Sequence, residues 1–133
     1  SRKHPRIGKS LTQAQYLDAA HLSYRPAASI HASLDSLLET QFAGQGLRRR
    51  VALSVPYSSG LASTVALSDL VFTAPQGLAR SMTRLQPVRI VPLPFELPEI
   101  HLNMQWHDRM HRDGGNRWLR EAMARNYRAE HWG

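Results

Sequence analysis

Apolar positions along the chain repeat with two periods, near 3.6 and 2, and the two alternate from end to end. Thr12 and Gln15 have capping-box spacing, and Leu11 with Tyr16 can form a hydrophobic staple, which predicts a short helix over 13–19. "HLSYR" (21–25) predicts a brief strand ending at Pro26. In "SIHASLDSLLETQFAGQG" the residues Ile30, Leu34, Leu37, Leu38 and Phe42 recur at helical spacing, with Ser29 to cap the start and Gly44 to end it. "VALSVP" (51–56) alternates Val51, Leu53 and Val55 and predicts a strand stopped by Pro56. "YSSGLASTVAL" predicts a helix over 58–67, with its small polar residues at the start.

The second half continues the alternation. "DLVFT" (69–73) is a continuous apolar run, as expected of a strand buried on both faces. Pro75 suits the first turn of a helix through Leu85, with Leu78, Ala79, Met82 and Leu85 on one face. "VRIV" (88–91) predicts another strand. "PLPFELPE" carries three prolines in eight residues and predicts an extended connector. "IHLNMQW" (100–106) sets Ile100, Leu102, Met104 and Trp106 on one side and His101, Asn103 and Gln105 on the other, a strand pattern. Asp113 can cap a final helix with Trp118, Leu119, Ala122, Met123 and Tyr127 as its apolar stripe. Strands and helices in alternation predict an α/β fold with a mostly parallel sheet. No internal repeat is visible.

Composition narrows the class. A chain of 133 residues with 42% hydrophobic and 20% charged residues can bury a core as one domain or a large part of one. The absence of cysteine excludes disulfides, zinc–thiolate sites and a cysteine nucleophile, and agrees with a reducing cytoplasm. No apolar run approaches the length of roughly 20 residues that a membrane-spanning helix needs. "SRKHPRIGKSLT" lacks the apolar middle of a signal peptide. The net charge of +7 raises the question of nucleic acid. Yet the basic residues are scattered over the N-terminus, "RRR" (48–50) and the last helix, without interleaved aromatics to stack bases. No nucleic-acid motif appears, so no DNA-binding residue is expected in this chain.

Two stretches invite a chemical reading. "WHDRMHRDGG" sets His107 and His111 four residues apart. The first lies at a strand end and the second beyond a turn, and the glutamate of a helical two-histidine zinc motif is missing, so a joint is expected and no metal. "VPYSSG" places Ser58 and Ser59 in a strand–turn–helix, where a hydrolase with His107 as base is one alternative; the glycine pattern of a nucleophile elbow is absent. The bland reading is a helix N-terminus rich in capping serines, whose free N–H groups can hold an anion. "YRPAAS" before the second helix is built alike. Ligands of open α/β sheets bind at the carboxyl ends of strands. The two loops together, Arg25, Pro26, Ser29, Pro56, Tyr57, Ser58 and Ser59, are therefore either a small-molecule cleft for a carboxylate or an aromatic, without cofactor or catalytic group, or two purely structural helix starts.

The order of segments resembles a known family. "RKHPRIGKSLTQAQYLDAAHLSY", "LRRRVALSVPYSSGLASTVALSDLVFTAPQGLAR" and "LPEIHLNMQWHDRMHRDGGNRWLREAM" are similar, in order and over nearly all 133 residues, to the effector-binding region of LysR-type transcriptional regulators, in particular the nodulation-regulator-like branch. The resemblance implies a lobe like that of a type II periplasmic binding protein, its mostly parallel sheet carrying an antiparallel return strand. It implies residues 1–107 as the second lobe and 108–133 as a return segment and C-terminal helix belonging to the first lobe, with the rest of that lobe and the DNA-binding domain absent. It also implies effector contacts in the loops "YRPAAS" and "VPYSSG", and a homo-oligomer acting on promoter DNA through that absent domain. A solute-binding protein of a transporter is the alternative within the same fold. Without its implied partners, strand 100–106 and the stripe of the last helix should be left uncovered.

Overall fold

In the computed structural model, residues 1–26, 34–97 and 103–127 are described, and the chain divides into two compact units, Ser1–Leu97 and Pro98–Gly133. The first unit is built on three strands, β1 (Ala20–Tyr24), β2 (Arg50–Val55) and β3 (Val71–Phe72), in the order β2-β1-β3 and all parallel. Helices α1 (Gln13–Asp18), α2 (Leu34–Ala43), α3 (Leu61–Ala66) and α4 (Gln76–Leu85) complete it. α2 lies between β1 and β2 in the chain and α3 between β2 and β3, as parallel pairing demands.

β1 is the centre, and its alternation divides the core. Leu22 turns to one face and packs with Leu61, Val65, Met82 and Val88. His21 turns to the other, where its ring lies 4.5 Å from that of Tyr16, which packs with Leu38 and Phe42. Phe95, from the proline-rich connector, meets Tyr16 and Phe42 edge-on at 5.0 and 5.1 Å, so the connector closes that face rather than trailing from it.

Local chemistry sets several boundaries. Thr12 and Gln15 make the expected reciprocal capping box of α1. α2 ends differently from the expectation of Gly44. Gly46 adopts the left-handed conformation (φ 68°), Leu47 N–H donates to Phe42 O at 2.8 Å and Gly46 N–H to Ala43 O at 3.1 Å. That is a Schellman closure, and Leu47 packs on the cluster containing Phe42, the hydrophobic contact that accompanies it. At the N-terminus, His4 Nδ1 accepts from the N–H groups of Arg6 (3.2 Å) and Ile7 (3.0 Å) while Nε2 donates to Asp69 O at 3.0 Å. One histidine thus shapes the His–Pro turn and pins it beside β3.

Other expectations are corrected. The helix expected over 58–67 is only Leu61–Ala66, because Gly60 (φ 84°) takes the cap position with no side-chain bond and leaves Ser58 and Ser59 outside. The strand expected over 69–73 shrinks to Val71–Phe72, half-buried and, among the described residues, paired on one side only. Residues 88–91 are not a strand: Val88 N–H turns back to Gln86 O, and no pairing joins 88–91 to β3. An apolar run becomes a strand only where a neighbour receives its hydrogen bonds. The face expected of α4 is narrower, with Met82 buried but Leu85 74% exposed. Ser29, and with it the expected start of α2, lies outside the described residues.

In the second unit, Asp113 caps α5 (Gly114–Asn126) by accepting from Asn116 N–H at 2.7 Å. Its stripe is largely uncovered, with Trp118 65% exposed. Of the strand expected over 100–106, residues 100–102 lie outside the described residues and 103–106 have no regular structure.

The buried polar groups tie α2 to β1. Asp35, in the first turn of α2, accepts the Tyr24 N–H at 2.8 Å and pairs with the buried guanidinium of Arg49. Removing one partner of such a pair strands a buried charge, so Asp35→Ala should cost about 3–5 kcal/mol in urea unfolding, while Asp35→Ala with Arg49→Met should recover part of it. His21 Nε2 donates to Tyr16 O at 2.6 Å and its Nδ1 is buried without a partner among the described residues. Burial, above all, holds the ring's pKa below its ordinary value near 6.5, with the Arg49 charge acting the same way. The unfolded chain therefore binds this proton more readily than the folded one. Stability from this site is complete above about pH 6.5 and falls as pH drops below it. Unfolding titrations of the wild type and of His21→Gln should converge on acidification from about pH 7 to pH 5; parallel curves would show that His21 does not titrate against the fold.

Candidate functional site at the carboxyl edge of the sheet

β1 and β2 shift register once, between His21 and Leu22, and from Leu22 onward pair evenly to their ends, with Tyr24 opposite Val55. The next residue extends the ladder: Arg25 N–H donates to Val55 O at 2.9 Å. This rung brings "RP" (25–26) beside "PY" (56–57) at one edge of the sheet. Arg25, Pro56, Tyr57, Ser58 and Ser59 are exposed there, Tyr57 by 73%, and Pro26 is half-buried. Of the seven residues expected to line a cleft, Arg25, Pro26, Pro56 and Tyr57 are thus gathered directly. Ser58 and Ser59 follow in the turn leading to Gly60, and Ser29 is outside the described residues.

The electrostatics of this edge rest on residues that the sequence did not single out. Arg25 donates through Nε to Ser23 Oγ at 3.1 Å and pairs with Glu39 of α2. Glu39 also stands 4.0 Å from Arg49, the buried partner of Asp35. The signal lay in the spacing of Asp35 and Glu39, four apart and so on one helix face, but their partners come from 10 or more residues away in either direction. Only the tertiary fold assembles them.

A cavity of about 140 Å³ lies beside β3, between that strand, α4, the N-terminal segment and residues 88–93. Ile7, Phe72, Met82 and Val88 line it, and none of the seven expected residues does. It occupies the space beside β3 where 88–91 fails to pair.

The histidine pair lies in a turn before α5, but His107 does not end a strand as expected, since 103–107 have no regular structure. A 3-10 turn, Asp108–Met110, separates His107 from His111. His107 Nδ1 accepts the Arg109 N–H at 3.2 Å, and His111 stacks on Trp106 with ring centroids 6.1 Å apart. Arg120 of α5 lies 4.7 Å over the Trp106 ring and donates to Met110 O and His111 O, binding turn to helix. Among the described residues no group of three or more His, Cys, Asp or Glu could hold a metal ion, and no helix is long and apolar enough to cross a membrane.

Comparison with known proteins places this architecture. The LysR substrate binding domain family matches residues 1–128. The HTH-type transcriptional activator NahR of Pseudomonas putida is 32% identical over 120 residues, 90% of this chain and 39% of that protein. Nodulation protein D of Azorhizobium caulinodans is 28% identical over 110 residues, 83% of this chain and 34% of that protein. The crystal structure of a probable transcriptional regulator from Pseudomonas aeruginosa superposes with a TM-score of 0.61 at 31% identity, covering 73% of this chain and 31% of that one. The chain spans well under half the length of these relatives, and family and relatives together speak for a transcription regulator rather than the solute-binding protein of a transporter. With an α/β lobe of the periplasmic-binding-protein type and a match from residue 1 to residue 128, the chain belongs to the LysR substrate binding domain family.

Proposed function

We propose that the chain is the effector-sensing part of a cytoplasmic, DNA-binding LysR-type regulator, and that it has no catalytic activity of its own. A small effector, a carboxylate or an aromatic, binds at the carboxyl edge of the sheet against Arg25, Pro26, Ser29, Pro56, Tyr57, Ser58 and Ser59. The observation that carries this reading is the rung from Arg25 N–H to Val55 O, which supports one shared ligand edge for two loops that are 30 residues apart in sequence. Arg25 supplies a cation for a carboxylate and Tyr57 an exposed ring for an aromatic face. His107 has its Nδ1 engaged by a backbone N–H, and neither Ser58 nor Ser59 has the positive φ of a strained nucleophile elbow, which argues against hydrolysis.

Family membership supports a further reading at the level of the whole regulator. The whole protein would bind promoter DNA as a homo-oligomer, and the effector would act by preferring one arrangement of lobes, shifting the population of DNA contacts. Residues 1–107 form the second lobe in this reading, with 108–133 returning to the first. The uncovered stripe of α5 supports a helix made to pack against another surface.

The test is a thermal-shift screen of small carboxylates and aromatic acids, on this chain and on the complete product of its gene. A ligand at 100 times its Kd should add roughly 2.7 kcal/mol to the stability of the complete product, and Arg25→Ala should remove most of the response to carboxylates. A carboxylate response unchanged by Arg25→Ala would move the site elsewhere, and a complete product without a helix–turn–helix would end the regulator reading.

A further inference from the structure

The charged groups around the end of β1 form a closed circuit. Arg25 is held by Ser23 Oγ and by Glu39; Glu39 approaches Arg49 to 4.0 Å; Arg49 pairs with Asp35; and Asp35 returns to β1 through the Tyr24 N–H. Two cations face two carboxylates. The positive charge that Arg25 would offer an arriving anion is already balanced from within.

The two pairs differ in what holds them. The Arg49 and Asp35 side chains are 2% and 9% exposed, so separating them would leave a charge without water or partner. Arg25 and Glu39 are 50% and 45% exposed, and either can be rehydrated if the other leaves. Opening such a half-exposed pair changes an equilibrium constant by only about 1.4- to 5-fold. The outer pair is the part of the circuit that a ligand can open.

We infer that Glu39 is a specificity-determining residue: its carboxylate occupies Arg25 in the unliganded domain, and the anionic group of an effector displaces it. This rests on the effector reading of the same edge. A neutral ligand gains nothing from the exchange, whereas an anion gains a guanidinium and leaves Glu39 beside Arg49. The exchange also unties the outer face of α2 from the end of β1 while the inner pair keeps the helix in place, so the charge of a ligand is communicated to a helix it need not touch.

The experiment is a nuclear magnetic resonance titration of this chain with benzoate and with its neutral isostere benzamide, read at the Arg25 Nε–Hε signal and at the backbone amides of Tyr57, Ser58 and Ser59. Glu39→Gln should bind benzoate about 2- to 5-fold more tightly than the wild type and benzamide equally well, and Glu39→Asp should behave like the wild type. Glu39→Ala makes the same comparison if the Gln variant fails to fold. Unchanged or weaker benzoate binding in the Gln or Ala variant, or an equal gain for benzamide, would overturn the inference. So would benzoate shifts at Tyr57 to Ser59 without any at Arg25, an outcome that leaves the effector reading standing. No shift at any of these residues with either probe would remove both.

Discussion

Parallel pairing of β1 with β2 is the constraint on which the rest depends. Parallel strands cannot be joined by a tight turn, so the chain must leave the end of β1, build α2 and come back to start β2 at the far side of the sheet. Both strands then finish at the same edge. The loops that follow them are neighbours in space because of strand direction, before any side chain is considered. The placement of α2 follows as well: its first turn reaches the end of β1, where Asp35 meets an amide that has no place in the ladder.

The polar interior follows from the same geometry. β1 is the central strand, so both its faces are covered and its alternating residues face two different cores. Leu22 satisfies one with hydrocarbon. His21 and Ser23 face the other and bring polar atoms into it, and the fold answers with the Tyr16 carbonyl, the Arg25 guanidinium and the Asp35–Arg49 pair. A buried network of this kind contributes less to stability than apolar side chains of the same volume would, but it admits fewer arrangements, because each misplaced partner strands a charge.

What the sequence made legible was local. The capping box of α1 and the Asp113 cap of α5 depend on residues within four positions of each other, and both form as expected. The two principal strands and the turn before α5 were also visible, as was the family, since three ordered segments carry its resemblance. The failures were of two kinds. Ser58 and Ser59 looked like caps, and Gly44 like a stop, because residue type alone does not fix backbone conformation; among the described residues those with positive φ are Gly60 and Gly46. The runs 69–73 and 88–91 looked like strands because they are apolar, but a strand exists only with a partner, and pairing is a property of the whole sheet. The Arg25–Glu39–Arg49–Asp35 circuit was invisible for the same reason: its members come from a strand end, a helix and the segment before β2.

The position of β1 has one more consequence, in the hierarchy of motions. β1 has ladder bonds on both sides and three consecutive buried residues, whereas β2 is exposed along nearly its whole length and β3 spans only two residues. The cost of local opening therefore falls from the centre of the sheet outward, and amide exchange should be slowest in β1 and fastest at its flanks. The segment carrying Pro56 and Tyr57 hangs from the end of β2, on the outer and more weakly held side of the sheet. The two halves of the edge are thus unequal: one is anchored to the last element to open, and the other can rearrange while the core stays closed.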